Sequence, residues 1–169
     1  MDLAHLHLLF NHLPIFGSII GALVLVQGIF TKSQSTTRAA LSIFFISAIG
    51  AGIAYLTGEP AAEKVENLMD VSKAAIEVHE EFAGVALAGM IVLGVFAILA
   101  YILSFKNPPY FKKLSLALLV VSIISFVLVA RVGYLGGQIR HPDNPGSRTI
   151  QKITNDSLKG AEDKDNDKD

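Results

Sequence analysis

Four apolar runs, each long enough to cross a lipid bilayer as a helix, constrain this chain more than any other feature: Leu13 to Phe30, Ala39 to Thr57, Phe82 to Ser104 and Leu114 to Leu135. A hydrocarbon core about 30 Å thick takes roughly 20 residues at about 1.5 Å per residue. Within that core no water satisfies an exposed backbone group, and a helix pairs its own. The runs therefore predict an all-α chain, an integral membrane up-down-up-down four-helix bundle that forms one domain over residues 1–143. Composition agrees, since 51% of the 169 residues are hydrophobic and only 17% are charged, with a mean hydropathy of +0.50. From Asn144 the apolar periodicity ends, and Glu162 to Asp169 alternates charges. Residues 144–169 are expected to form a disordered polar tail. No Lys or Arg precedes Lys32, so the basic leader of a cleaved signal peptide is missing and the first span is expected to be retained.

Charge and cysteine content remove several functional classes. A net charge of −1 without a basic, aromatic-interleaved stripe gives nucleic acid no footing, and the lipid bilayer is the expected surrounding. The absence of cysteine excludes disulfides, thiolate zinc sites, iron–sulfur clusters and covalent haem attachment. Any metal must then use His, carboxylate or Met, and any haem must be of the b type. The connections Thr31 to Arg38 and Phe105 to Lys113 carry Lys32, Arg38, Lys106, Lys112 and Lys113 with no acid. They are expected to face the cytoplasm. The connection Gly58 to Glu81 is rich in acid and should lie outside, with both termini.

All five histidines fall at that expected outer face: His5, His7 and His12 before the first span, His79 before the third and His141 after the fourth. A single histidine at an interface is equally explained by its apolar body and polar tip. His12 and His79 have helical contexts that aim them inward. From Ser72 the sequence reads as helix continuous with the third span, so His79 shares a stripe with Ala83, Ala86 and Met90, flanked by Glu80 and Glu81. On the first helix Asn11 can cap and Pro14 suits the first turn, placing His12 at the start of the span. His5 and His12 share a face of a continuous helix and His7 lies on the other side. Matched depth of His12 and His79 on parallel helices is what axial haem ligation requires.

Arg131 is a cation inside the fourth span, about one turn before Gly136-Gly137, which read as a helix C-cap. It needs an anion, with Glu59, Glu80, Glu81, a haem propionate or an anionic substrate as choices, or it must snorkel to the interface. Beyond it, Arg140 and His141 return a cation and an imidazole to the same rim. Gly17 and Gly21, and Gly84, Gly89 and Gly94, serve either close helix packing or clearance for a flat macrocycle.

The pattern His5-x-His7-Leu8-Leu9-x-Asn11-His12-x-Pro14-x-x-Gly17, with Tyr55-Leu56-Thr57-Gly58, Glu77-x-His79-Glu80 and Gly136-Gly137-x-Ile139-Arg140-His141-Pro142, resembles a family of small bacterial four-helix membrane proteins that carry a domain of unknown function and an outer-face histidine constellation. The likeness covers roughly Ala4 to Asp143. More loosely the layout is similar to four-helix b-type cytochromes and to membrane proteins found beside respiratory redox modules. It departs from the two-haem pattern in having no inner-face histidine. The resemblance implies a bacterial inner membrane location and a respiratory or redox membrane partner.

Three functions follow as expectations. One is electron transfer through a single b-type haem with His12 and His79 axial and Arg131 and Arg140 on its propionates. Another is binding of copper or zinc by several of His5, His7, His12, His79 and His141 with Glu80 or Glu81. The last is an accessory or structural subunit of a membrane complex. A hydrolase is not supported, since neither Gly-x-Ser-x-Gly nor His-Glu-x-x-His occurs.

Overall fold

The computed structural model describes residues 3–66, 73–106 and 109–140. Their regular structure is helical throughout, in the order α1 (Leu3–Phe10), α2 (His12–Thr31), α3 (Gln34–Leu56), α4 (Gly58–Glu66), α5 (Lys73–Ser104) and α6 (Phe111–Arg140). One residue separates α1 from α2 and one separates α3 from α4, which leaves four long helical stretches. Leu3–Thr31, Gln34–Lys64, Lys73–Ser104 and Phe111–Ile139 are each long and apolar enough to cross a membrane. The four apolar runs lie within them. The tail from Asn144 and His141 lie outside the described residues.

The join between α1 and α2 differs from its expected form. Asn11 is helical (φ −63°, ψ −24°) and makes no side-chain cap bond, while its N–H donates to His7 O at 2.9 Å. The helical backbone thus runs on through Asn11. The interruption comes from Pro14, which has no N–H to give to the carbonyl of Phe10. At the other end of α2, Lys32 takes the left-handed conformation (φ 53°) and Ser33 caps α3, its Oγ accepting from Thr36 N at 3.3 Å. Gly136-Gly137 do not form the expected C-cap, because α6 continues to Arg140. A capping glycine adopts positive φ, and among the described residues no glycine does.

The long stretches pack in a closed cycle, α2 on α3, α3 on α5, α5 on α6 and α6 on α2. Leu25, Leu41, Phe44, Met90, Leu93 and Leu118 fill the centre and are fully buried. In lipid the helices gain nothing from hiding apolar surface, so close backbone approach and interhelical hydrogen bonds hold them together. A Cβ on Gly17 would overlap Ser47 Oγ, and one on Gly28 would lie 2.9 Å from the backbone N of Thr37. Gly94 meets Ala48 in the same way, at 2.6 Å, whereas a Cβ on Gly84 would meet nothing within 4 Å among the described residues. Ser125 Oγ donates to Gly89 O at 3.2 Å and ties α6 to α5. The outward faces carry Phe16, Leu23, Phe96, Leu99, Val120, Ile124 and Val127, an apolar surface that matches acyl chains rather than water.

Candidate functional site: a histidine pair at one end of the helices

The rotation of the first long stretch is set by its small residues. Pro14, Gly17, Gly21 and Gly28 are buried on α2, and His7, Pro14, Gly21 and Gly28 follow one another at seven-residue intervals. Seven residues are nearly two full turns, so His7 prolongs the inward stripe and His12 falls almost opposite. His7 is accordingly half-buried, with Nδ1 2.8 Å from the carbonyl oxygen of Ala54 on α3 and its ring beside Gly58. His12 is exposed, its Nδ1 3.1 Å from Leu8 O on its own stretch, and its ring stacks near Phe16 at a centroid distance of 6.4 Å. His5 is exposed as well. The first-helix imidazole turned in against the neighbouring helices is therefore His7, not the His12 favoured from the sequence.

His79 occupies the stripe expected of it. Ile76, Ala86, Met90 and Leu93, on the same side of α5, are buried, and His79 is half-buried. Its Nδ1 lies 3.1 Å from Val132 O on α6. The ring rests on Gly136, where a Cβ would stand 3.1 Å from Cε1 and 3.4 Å from Nδ1. Glycine at 136 thus gives the imidazole its seat, which is why a glycine occurs inside a continuing helix.

The hydrogen bonds fix the chemistry of both rings. A carbonyl oxygen only accepts, so each Nδ1 must carry the proton and donate, and in the neutral ring Nε2 keeps its lone pair. Such a bond orients an imidazole and raises the basicity of the opposite nitrogen. Ala54 O accepts from Thr57 Oγ1 too, at 3.2 Å, which stiffens that anchor. Polar side chains are also buried at this end of the helices: Asn11, one turn from His7, has a buried Oδ1 with no hydrogen-bond partner among the described residues, and Gln138 is only 2% exposed. Two Nε2 lone pairs from separate helices at the same end of the molecule can act as a paired base or as two ligands.

The remaining residues singled out from the sequence lie elsewhere. Glu80 and Glu81 are exposed. Glu80 lines a shallow cleft of about 240 Å³ with Glu59, Glu63, Glu77 and Lys73, between α4 and α5. Among the described residues no three His, Asp or Glu side chains gather as a metal-binding group. Arg131 is exposed on α6, and its Cζ lies 5.8 Å from the ring centroid of Phe82 and 5.4 Å from that of Tyr134. Its contacts among the described residues are these rings and not the expected carboxylates. Arg140 is the last residue of α6; its side chain and His141 lie outside the described residues. Comparison of the chain with protein-family models, with curated proteins and with solved structures found no match.

Proposed function

We propose that this chain is a multi-pass, up-down-up-down four-helix membrane protein that holds one b-type haem between His7 and His79 and serves in electron transfer. The supporting observation is the pair of imidazoles on different helices, each with Nδ1 anchored on a neighbouring helix's carbonyl oxygen. Haem iron asks a protein for two axial donors, whereas structural zinc asks for four ligands and catalytic zinc for three. Two imidazoles suit the haem, with His7 in the place the sequence suggested for His12.

Bound haem would supply reversible one-electron oxidation and reduction of its iron. The chain's part is to present the two Nε2 atoms. Ala54 and Val132 carbonyls hold the ring planes, Gly136 leaves room for His79, and the apolar side chains toward the middle of α5 keep water away. Arg131 precedes the carbonyl that holds His79 and, with Arg140, is the cation assigned to the propionates. Arg131 would then leave its aromatic neighbours for a carboxylate, a stronger partner for a guanidinium.

Up-down connectivity is supported by contacts at both ends. Arg38, at the start of α3, meets Ser104 at the end of α5, while His7 meets Ala54 and His79 meets Val132 at the opposite end. The acid-free cationic connections assign the Arg38 end to the cytoplasm of a bacterial inner membrane, with the histidines and both termini outside. A respiratory or redox membrane protein is the proposed partner.

The test is the reduced-minus-oxidised optical spectrum of purified protein expressed with a haem supply. A bis-imidazole b-type spectrum at one haem per chain is expected, lost in both His7→Ala and His79→Ala. A colourless protein, or one that keeps full haem in both variants, would overturn the assignment. A colourless protein with one copper or zinc per chain would point instead to metal binding.

A further inference from the structure

The end of the molecule remote from the histidines carries a second arrangement that the haem reading does not use. Arg38 is half-buried and lies against the C-terminus of α5. Its Nε donates to Ser104 Oγ at 2.8 Å, and Nη2 donates to Ser104 O at 3.2 Å and to Gln34 Oε1 at 3.3 Å. The guanidinium carbon stands 4.1 Å above the Phe105 ring, and Phe105 meets Tyr101 edge-on at 5.6 Å. Among the described residues these bonds employ Nε and both hydrogens of Nη2 and leave Nη1 for an anion. Arg38 is thus a positioned cation with an open donor.

Directly beneath it runs a groove of about 340 Å³ on the lipid-facing surface between α3 and α5, lined by Leu41, Ser42, Phe45, Ile98 and Tyr101. Ser42 is one turn from Arg38 and Tyr101 one turn from Phe105, so the Arg38–Phe105 stack closes the groove toward the aqueous end. The one hydroxyl on the α3 side, Ser42 Oγ, is already given to Arg38 O at 3.1 Å. What the groove offers is therefore apolar, at membrane depth, with a cation at its mouth.

We propose that this groove binds one anionic glycerophospholipid, an acyl chain lying along Leu41, Phe45 and Ile98 and the headgroup phosphate on Arg38 Nη1 and Lys106. Charge complementarity selects this occupant. The two connections at this end hold Lys32, Arg38, Lys106, Lys112 and Lys113 and no acid, and Lys106 is exposed immediately after the stacked Phe105. Cationic pockets between membrane helices are the sites where anionic headgroups are held. A neutral or zwitterionic lipid would fill the groove equally but gain little from the cations.

The experiment is native mass spectrometry of the full chain released from detergent, with added phosphatidylglycerol, phosphatidylcholine or free glycerol phosphate. One phosphatidylglycerol per chain should be retained, with phosphatidylcholine retained at least about tenfold less, given roughly a fivefold gain per nearby cation. The double variant Arg38→Gln with Lys106→Gln should lose retention by about tenfold or more. Because Arg38 also ties α3 to α5, a second variant leaves it intact: Ser42→Leu fills the groove and should displace the same lipid, with circular dichroism confirming an unchanged helix content. Equal retention of the two lipids, unaltered retention in Ser42→Leu, or binding of glycerol phosphate as tight as that of the lipid would each refute the site.

Discussion

Replacing two adjacent glycines of α6 with alanine separates the effect of the histidine seat from every general effect of the substitution. A Cβ at Gly136 would stand 3.1 Å from His79 Cε1, while at Gly137 nothing among the described residues lies within 4 Å. Both positions are helical, so both alanines gain up to about 1 kcal/mol in helix propensity, and that gain cancels in the comparison. Only Gly136→Ala pushes on the imidazole, which must retreat by a few tenths of an ångström to restore ordinary contact. The Nδ1 to Val132 O bond is already 3.1 Å, near the long end of the useful range, and the same retreat weakens it. Overpacking costs about 1–3 kcal/mol and the hydrogen bond contributes about 0.5–1.5 kcal/mol. With partial relaxation, Gly136→Ala should be about 1–3 kcal/mol less stable than Gly137→Ala. For a chain of this size that difference is about 2–12 °C in Tm, measurable by circular dichroism in detergent. Repeating the pair in a His79→Ala background should erase the difference, since the clash partner is gone. Equal Tm values in the wild-type background would refute the contact between His79 and Gly136 and the seat built on it.

The α2–α3 seam makes a parallel prediction: Gly28→Ala should lower stability by about 1–3 kcal/mol, because its Cβ meets backbone atoms of Thr37 that cannot swing aside. Gly52→Ala, with open space around it, should be neutral or stabilising by up to about 1 kcal/mol, and the reverse order of Tm would contradict the packing. If His7 and not His12 is the ligand, His12→Ala should retain full haem per chain while His7→Ala retains none, read from the absorbance of equal amounts of protein. The chain has no cysteine, so single cysteines report topology without background. One at Ser35 should be shielded from an impermeant thiol reagent in intact cells and one at Glu63 should label, and the opposite pattern would invert the proposed orientation.

The sequence by itself determined the class of structure, because the length of an apolar run and the need to satisfy backbone groups in lipid are local properties. Four runs gave four helical stretches suited to crossing a membrane, and the stripe His79, Ala86, Met90 turned inward as its periodicity implied. Sequence periodicity says which residues share a helix face, but it does not say which face packs against a neighbour. For the first helix that choice lay between a stripe with His5 and His12 and one with His7. It was decided by where α2 can approach α3 most closely, at Gly17, Gly21 and Gly28. The heptad His7, Pro14, Gly21, Gly28 carried that signal, since small residues mark the seam of helices in lipid. Asn11 and Gly136-Gly137 are residue types favoured at helix ends, yet each lies within a helical path: Asn11 N–H makes the ordinary i→i−4 bond to His7 O, and at Gly136 a contact from another helix accounts for the glycine, since the imidazole of His79 rests where it has no side chain. The pairing of His7 with Ala54 O and of His79 with Val132 O joins residues 47 and 53 positions apart in the chain. Such a pairing depends on the rotation and depth of whole helices, which only the packed tertiary structure sets.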